Sequence, residues 1–208
     1  MDRLKEIAKN LDSKDNLSKF REKFILPKDK IYLDGNSLGV LAKDIIEGIN
    51  HTIKEEWGNN LISSWNKSWI KLPRMVSQKI ASIIKSGEDE IYVGSSTSIN
   101  LFKLIKSILQ SNQSIKNITT DNLNFPSDKY ICELVANDFK INFNFLEYGS
   151  DLIADIEKLK EFIKKKRGII VLSHVAYKSS YRYPIKEISK FCRDNNTVVI
   201  WDLSHSIG

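Results

Sequence analysis

Carboxylates, hydroxyls and imidazoles stand at the ends of apolar runs in this chain, at the places where an α/β fold gathers side chains to one edge. "TVVIWD" (197–202) reads as a buried strand that stops on Asp202, with His205 three residues further on. A carboxylate there is costly to bury alone. A helix cap, a salt bridge such as one to His205, or a bound cationic group can each satisfy it. "IYVG" (91–94) leads into Ser95, Ser96, Thr97 and Ser98. Hydroxyls in front of a helix cap it or, with the free N–H groups of its first turn, hold a phosphate. No GxGxxG pattern or Walker lysine accompanies them, so the loop suits a phosphate monoester better than a dinucleotide or a nucleoside triphosphate. "IKNITT" (115–120) leads to Phe125, Ser127 and Asp128, and "GIIVLSH" (168–174) ends on Ser173 and His174.

Together these residues suit the chemistry of pyridoxal phosphate. Its ring nitrogen must stay protonated for the ring to withdraw electrons, and a buried aspartate facing that nitrogen keeps the proton in place. Asp202 is the candidate for that role. Phe125 can lie against a face of the ring, and Asp128 and Ser173 can bond to its polar edge or orient Asp202. No spacing of His, Cys, Asp and Glu marks a metal site.

The elements that must position these groups alternate between strand and helix. Leu41, Ile45, Ile49, Ile53 and Trp57 recur every four residues, with Ile46 beside them, and predict one helical stripe. A helix is predicted over 72–85, with Val76, Ile80, Ile83 and Ile84 inward and Pro73 in its first turn. Others follow Ser98 (Leu101, Leu104, Ile105, Ile108, Leu109), begin at Pro126, run over 151–166 (Leu152, Ile156, Leu159, Ile163) and cover 184–194. Strands are predicted at 31–33, 90–94, 115–120, 141–148, 168–175 and 197–202. The run over 168–175 is apolar throughout, as a strand covered on both faces must be. This rhythm predicts an α/β fold, a mainly parallel open sheet flanked by helices. Residues 1–90 are expected as a mostly helical segment packed on a large domain formed by 91–208.

Composition narrows the function classes. With 208 residues, 41% of them hydrophobic, the chain can bury a substantial core. It has no run of 18 apolar residues, and its amphipathic N-terminus lacks an apolar signal core, so a cytoplasmic protein with no membrane partner is expected. Cys132 and Cys192 fall in apolar helical patterns and read as reduced core thiols. The formal charge of +6 includes "KKKR" (164–167) just before Gly168, where cations suit a helix C-terminus. Without interleaved aromatics, this charge does not predict nucleic-acid binding.

Six segments in order, "IYLDGNSLG", "LISSWNKSW", "STSINLFKLI", "NFPSDKYI", "LSHVAYKSSYRYPI" and "IWDLSHSIG", together resemble the kynureninases. These are pyridoxal-phosphate hydrolases of the aspartate-aminotransferase-like fold, fold type I. The resemblance runs from about residue 31 to 208. It implies that Thr97 and Ser98 contact the cofactor phosphate, that Phe125 stacks on the pyridine ring, and that Pro126, Ser127 and Asp128 complete that segment. It also places Ser173 and His205 in the cofactor's hydrogen-bond shell and pairs Asp202 with the ring nitrogen. Asn36, Ser37 and Trp65 match substrate-side segments. The implied reaction is hydrolysis of L-kynurenine, or 3-hydroxykynurenine, to anthranilate, or 3-hydroxyanthranilate, and L-alanine. The implied setting is tryptophan catabolism or NAD biosynthesis, in a homodimer.

The family's Schiff-base lysine follows the "WDLSHS" loop on a further strand. It is expected beyond residue 208, which makes this chain an incomplete and inactive fragment of the large domain. Lys178 is read as a solvated lysine rather than a substitute. The alternatives are a related fold type I enzyme, a cysteine desulfurase or class-V aminotransferase, and a non-catalytic cofactor-binding remnant.

Overall fold

The computed structural model describes residues 2–207 and divides into two compact units between Met75 and Val76. The first unit opens with α1 (Asp2–Ser13), a 3-10 turn, and β1 (Phe24–Ile25). β1 pairs antiparallel with β2 (Leu41–Ala42), placing Ile25 opposite Leu41. α2 (Lys43–His51) continues as a π-helix over Thr52–Asn59, and α3 (Ser63–Lys67) follows. Leu41 therefore stands in a strand, outside the helical stripe predicted for it. Its backbone is extended because it forms a ladder with Ile25. The rest of the stripe, Ile45, Ile49, Ile53 and Trp57, runs along α2 and the π turns and is exposed. In an α-helix a four-residue repeat drifts around the axis by about 40° per step. The wider i→i+5 turns, such as Asn60 N–H to Glu55 C=O at 2.9 Å, carry it back into line.

Residues 31–33 form no strand. Tyr32 instead closes the following turn, its hydroxyl lying 3.0 Å from the Asp34 carbonyl and 2.7 Å from that of Leu38.

The division between the units falls inside α4 (Leu72–Ile84). The second unit continues with α5 (Thr97–Ser111), β3 (Asn117–Asp121), α6 (Pro126–Asp138), β4 (Asn142–Leu146), α7 (Ile156–Lys165), β5 (Ile169–Ser173), α8 (Ile185–Asp194) and β6 (Val198–Asp202). Its sheet has the order β4-β3-β5-β6 and every pair is parallel. Residues 90–94 are extended at Ile91 but have no ladder partner among the described residues, so the strand predicted there is absent.

The expected α/β layering is present. On one face Leu101, Ile105 and Leu109 of α5 and Cys132, Val135 and Ala136 of α6 cover Ile118, Ile169 and Val171. On the other, Leu159 and Ile163 of α7 and Ile188 and Cys192 of α8 cover Ile170 and Leu172. Successive β5 side chains thus enter different cores, which is why that strand is apolar without alternation.

α7 starts later than its periodicity predicts. Asp155 caps it by accepting the Lys158 N–H at 2.9 Å. Leu152 lies ahead of it in a turn with φ 52. After α7 the chain enters β5 through Gly168, where a Cβ would collide with the backbone carbonyl of Asn117 on β3. Gly168→Ala must therefore push the two strands apart. It is expected to cost about 3 kcal/mol, read as a lower urea midpoint; an unchanged midpoint would show that the strands give way freely.

Candidate functional site

The chain adds β4 on one side of β3 and then returns to place β5 and β6 on the other. A reversal of this kind separates the loops leaving neighbouring strands and opens a crevice at their carboxyl ends. A cleft of about 330 Å³ lies there, lined by Thr97, Asn100 and Leu104 of α5, Asp128 of α6, Val171 of β5, and Trp201, Asp202 and Ser204 at the end of β6.

Two carboxylates reach the cleft from different elements. Asp202 is the last residue of β6, and its Oδ1 accepts the Ser204 N–H at 2.8 Å and the Ser204 hydroxyl at 2.5 Å. Ser204, not His205, is the local partner that holds this acid. The other oxygen, Oδ2, remains available to a ligand. Asp128 sits in the first turn of α6 and is 1% exposed. Its Oδ1 accepts a long bond of 3.4 Å from the Ser127 hydroxyl, while its Oδ2 is buried without a hydrogen-bond partner. Burial raises the Asp128 pKa to about 6, and the negative charge of Asp202 pushes it the same way. Two acids with one unpartnered buried oxygen between them create a strong demand for a hydrogen-bond donor carrying positive charge.

The α5 side of the cleft begins at Ser96, which caps the helix by accepting the Ile99 N–H at 3.3 Å. Thr97 lines the cleft, and Ser98 follows, half-buried, in the same turn. Asn100 folds back over Gly94, where a Cβ would strike its side chain, and its buried Oδ1 has no partner. Asn100 thus carries a second unsatisfied buried acceptor in the first turn of α5.

Other predicted residues take different places. Phe125 precedes α6, is partly exposed, and meets the edge of Tyr177 with 5.0 Å between ring centroids. Pro126 is the first residue of α6, where its missing N–H costs nothing. Ser173 is buried at the end of β5, and its hydroxyl donates inward to Asn124 Oδ1 at 2.5 Å. His205 is half-buried in the turn after β6 and is not among the residues lining the cleft. Lys178 is exposed, with its ammonium over the Tyr177 ring.

Asn36, Ser37 and Trp65 belong to the first unit. There Ser37 donates to Asp34 Oδ1 at 2.8 Å within its own turn. Trp65 is half exposed, while Trp69 donates its indole N–H to Glu56 at 2.8 Å. That bond, with a second from Ser68, lowers the Glu56 pKa.

Sequence reasoning missed Asn124, Asp121, Tyr183 and Asn100. Asp121, the last residue of β3, is buried and accepts from the Leu123 and Asn124 N–H groups and, at 2.6 Å, from the Tyr183 hydroxyl. The polar run "TTDNLN" at a strand end signals such a turn, but nothing local points to Tyr183, 62 residues away.

Residues 31–208 match the aminotransferase class-V family. The chain belongs to that family. Among curated relatives, the kynureninase of Pseudomonas fluorescens is 36% identical over 203 residues, covering 95% of this chain and 48% of that protein. The kynureninase of Burkholderia mallei strain SAVP1 is 34% identical over 210 residues, covering 98% and 49%. The chain thus spans about half the length of the curated relatives it matches. Solved structures superpose well at low identity. A C-DES mutant with glycine covalently linked to its PLP cofactor gives a TM-score of 0.78 at 18% identity, covering 89% of this chain and 50% of that one. The cysteine desulfurase CsdA of Escherichia coli gives 0.74 at 14%, covering 92% and 49%. These establish the fold of the pyridoxal-phosphate enzymes of type I for this chain.

Pyridoxal phosphate is the cofactor of the class-V family. The cleft fits it. The unpartnered Asp128 oxygen and the free Asp202 oxygen suit a protonated ring nitrogen, and the first turn of α5 with Thr97 suits a phosphate. No helix among the described residues is long and apolar enough to cross a membrane.

Proposed function

We propose that this chain forms the cofactor-binding part of a kynureninase. One observation carries the reading: a buried carboxylate with an unpartnered oxygen stands beside Asp202 in the cleft, in a chain 36% identical to a kynureninase. Asp202 pairs with the cofactor's ring nitrogen, and Asp128 adds a second negative charge that keeps that nitrogen protonated. Ser204 fixes the Asp202 rotamer, so that no reorientation is needed on binding. Thr97 and Ser98 hold the phosphate in the first turn of α5. Phe125 faces the ring, its edge braced by Tyr177, and Pro126 and Ser127 set the angle at which α6 presents Asp128. Ser173 acts from behind through Asn124, and His205 closes the shell after β6. Asn36, Ser37 and Trp65 serve the substrate side.

When bound, pyridoxal phosphate supplies the electron sink that permits hydrolysis of the Cβ–Cγ bond of L-kynurenine to anthranilate and L-alanine. 3-Hydroxykynurenine is the alternative substrate within the same class. The residues lining the cleft include no lysine, so the cofactor-linking lysine is supplied from outside this set. We place the activity in a cytoplasmic homodimer serving tryptophan breakdown or NAD supply.

The test is direct. The full-length gene product, given L-kynurenine and pyridoxal phosphate, is expected to release fluorescent anthranilate. Release of alanine and sulfur from cysteine, with no anthranilate, would instead assign it to the desulfurases whose fold it shares.

A further inference from the structure

Asn124 is 5% exposed and uses its full hydrogen-bonding capacity. Its Oδ1 accepts the Ser173 hydroxyl at 2.5 Å and the Phe125 N–H at 2.9 Å. Its Nδ2 lies 3.0 Å from the Thr120 hydroxyl oxygen and 3.2 Å from the Val171 carbonyl, donating to both. One amide therefore joins the end of β3, two positions of β5 and the residue that opens α6. The Thr120 hydroxyl also donates to the Val171 carbonyl at 2.9 Å, so the two strands are tied at the same point. From the other side, Asp121 Oδ1 accepts the Asn124 and Leu123 N–H groups and fixes the turn between β3 and Asn124.

The position of this hub decides what it does. Phe125 has no side-chain cap to start α6, and the Asn124 amide takes the Phe125 N–H instead. Asp128 lies one turn further on, its backbone N–H bonded to the Phe125 carbonyl at 3.0 Å. The direction of the first turn of α6, and with it the depth at which Asp128 is held, follows from the bonds to Asn124. A buried network in which every member is satisfied is rigid, and one missing partner leaves several groups unpaired.

We propose that Asn124 is a positioning residue of this site, whose side-chain amide locks the β3–α6 turn to β5 and so holds Asp128, one turn past Phe125, at the cleft. The proposal deepens the cofactor reading above and rests on it for its consequence in binding. Asn124 itself does not line the cleft, and it acts only through Phe125, Asp128 and Ser173.

The surroundings of Asp128 supply a readout that a merely structural role leaves unmoved. The charge facing it is that of Asp202 from β6, and Cys132 lies one turn along α6. The residues that line the cleft from α5 and β5, Thr97, Asn100, Leu101, Leu104 and Val171, carry no charge. If the turn relaxes, Asp128 gains water and separates from Asp202, and both changes lower its pKa.

The experiment uses the 208-residue chain with 13C-labelled aspartate, the Asp128 signal being assigned by its loss in Asp128→Asn. Pyridoxal phosphate binding is followed by quenching of tryptophan fluorescence. In Asn124→Ala the Asp128 midpoint is expected to fall from about 6 by a pH unit or more, with affinity for pyridoxal phosphate reduced at least tenfold. An unmoved midpoint in a folded variant overturns the proposal, and so does unmoved affinity where the unaltered chain binds. Should Asn124→Ala fail to fold, Thr120→Val removes one partner of the amide at constant shape, and the same two readings decide. If the unaltered chain does not bind pyridoxal phosphate but the midpoint still falls, the cofactor reading fails while the positioning of Asp128 by Asn124 stands.

Discussion

Asp202→Asn is expected to weaken pyridoxal phosphate binding by about tenfold to a hundredfold, because it removes a hydrogen bond between charged groups that contributes about 1.5–3 kcal/mol. The substitution is conservative for the fold. Oδ1 still accepts from Ser204, so the amide keeps the orientation of the acid it replaces. Its Nδ2 then stands where Oδ2 stood and presents a donor toward a ring nitrogen that is itself a donor. A second effect must accompany the first. Burial is the larger cause that raises the Asp128 pKa to about 6 and the Asp202 charge is the second, so loss of that charge must lower the Asp128 midpoint. Fluorescence titration measures the affinity, and 13C shifts of the aspartate carboxyls measure the midpoint. Equal affinity in the two proteins would remove Asp202 from the site. An unmoved midpoint would show that the two carboxylates do not face one another.

Asp121→Asn is expected to change how stability depends on pH. Burial raises the Asp121 pKa to about 6, although the Tyr183 hydroxyl and two backbone N–H groups favour its charged form. The folded protein therefore holds this proton more tightly than the unfolded chain, whose carboxylate has the ordinary value of 3.8. Its contribution to stability is fully present below 3.8 and is lost as pH rises through about 6. That interval corresponds to about 3 kcal/mol. The asparagine side chain of the variant cannot ionise, keeps an acceptor for the backbone N–H groups, and can donate to the Tyr183 oxygen. Urea unfolding at steps from pH 4 to pH 7 should show the unaltered protein losing about 2 kcal/mol more than the variant over the range. Asp128 shifts in the same direction and is common to both proteins, so it cancels in the comparison. Parallel curves would mean that Asp121 is ionised throughout and that its three donors outweigh its burial.

Much of this architecture is legible in the sequence. The apolar run of β5 and the spacing of Leu101, Ile105 and Leu109 in α5 state locally which face is buried, and the two-sided sheet follows. Leu104 of the same expected face is exposed at the cleft. In α4 Val76, Ile83 and Ile84, expected inward, are exposed, while Ser77 and Ala81 are buried. The candidate cleft was legible in part. Asp202 ends a strand, Asp128 lies in the first turn of a helix, Ser96 to Ser98 open a helix, and all of these stand at carboxyl ends of the sheet or on the helices beside them. The failures are of another kind. Residues 31–33 and 90–94 have strand-like composition, but a strand exists only with a partner, and pairing is not a property of the segment itself. Leu152 fits the period of α7, but the Asp155 cap starts the helix three residues after it. In the first case no ladder partner was at hand among the described residues, and in the second a side-chain cap set the start of the helix.

By itself, then, the order of residues determined the alternation of strands and helices, the two buried faces of the sheet and the acids at its carboxyl edge. Each of these follows from hydrophobic periodicity, which any short stretch of chain displays. Tertiary structure alone decided that Asp128 keeps an unpartnered oxygen beside Asp202, that Ser173 turns inward to Asn124, and that Asp121 shares a proton-bearing contact with Tyr183. Those outcomes depend on which groups lose water together and which donors reach them across 49 or 62 residues of chain. Desolvation and long-range pairing arise only when distant segments meet, so no single segment carries their signal.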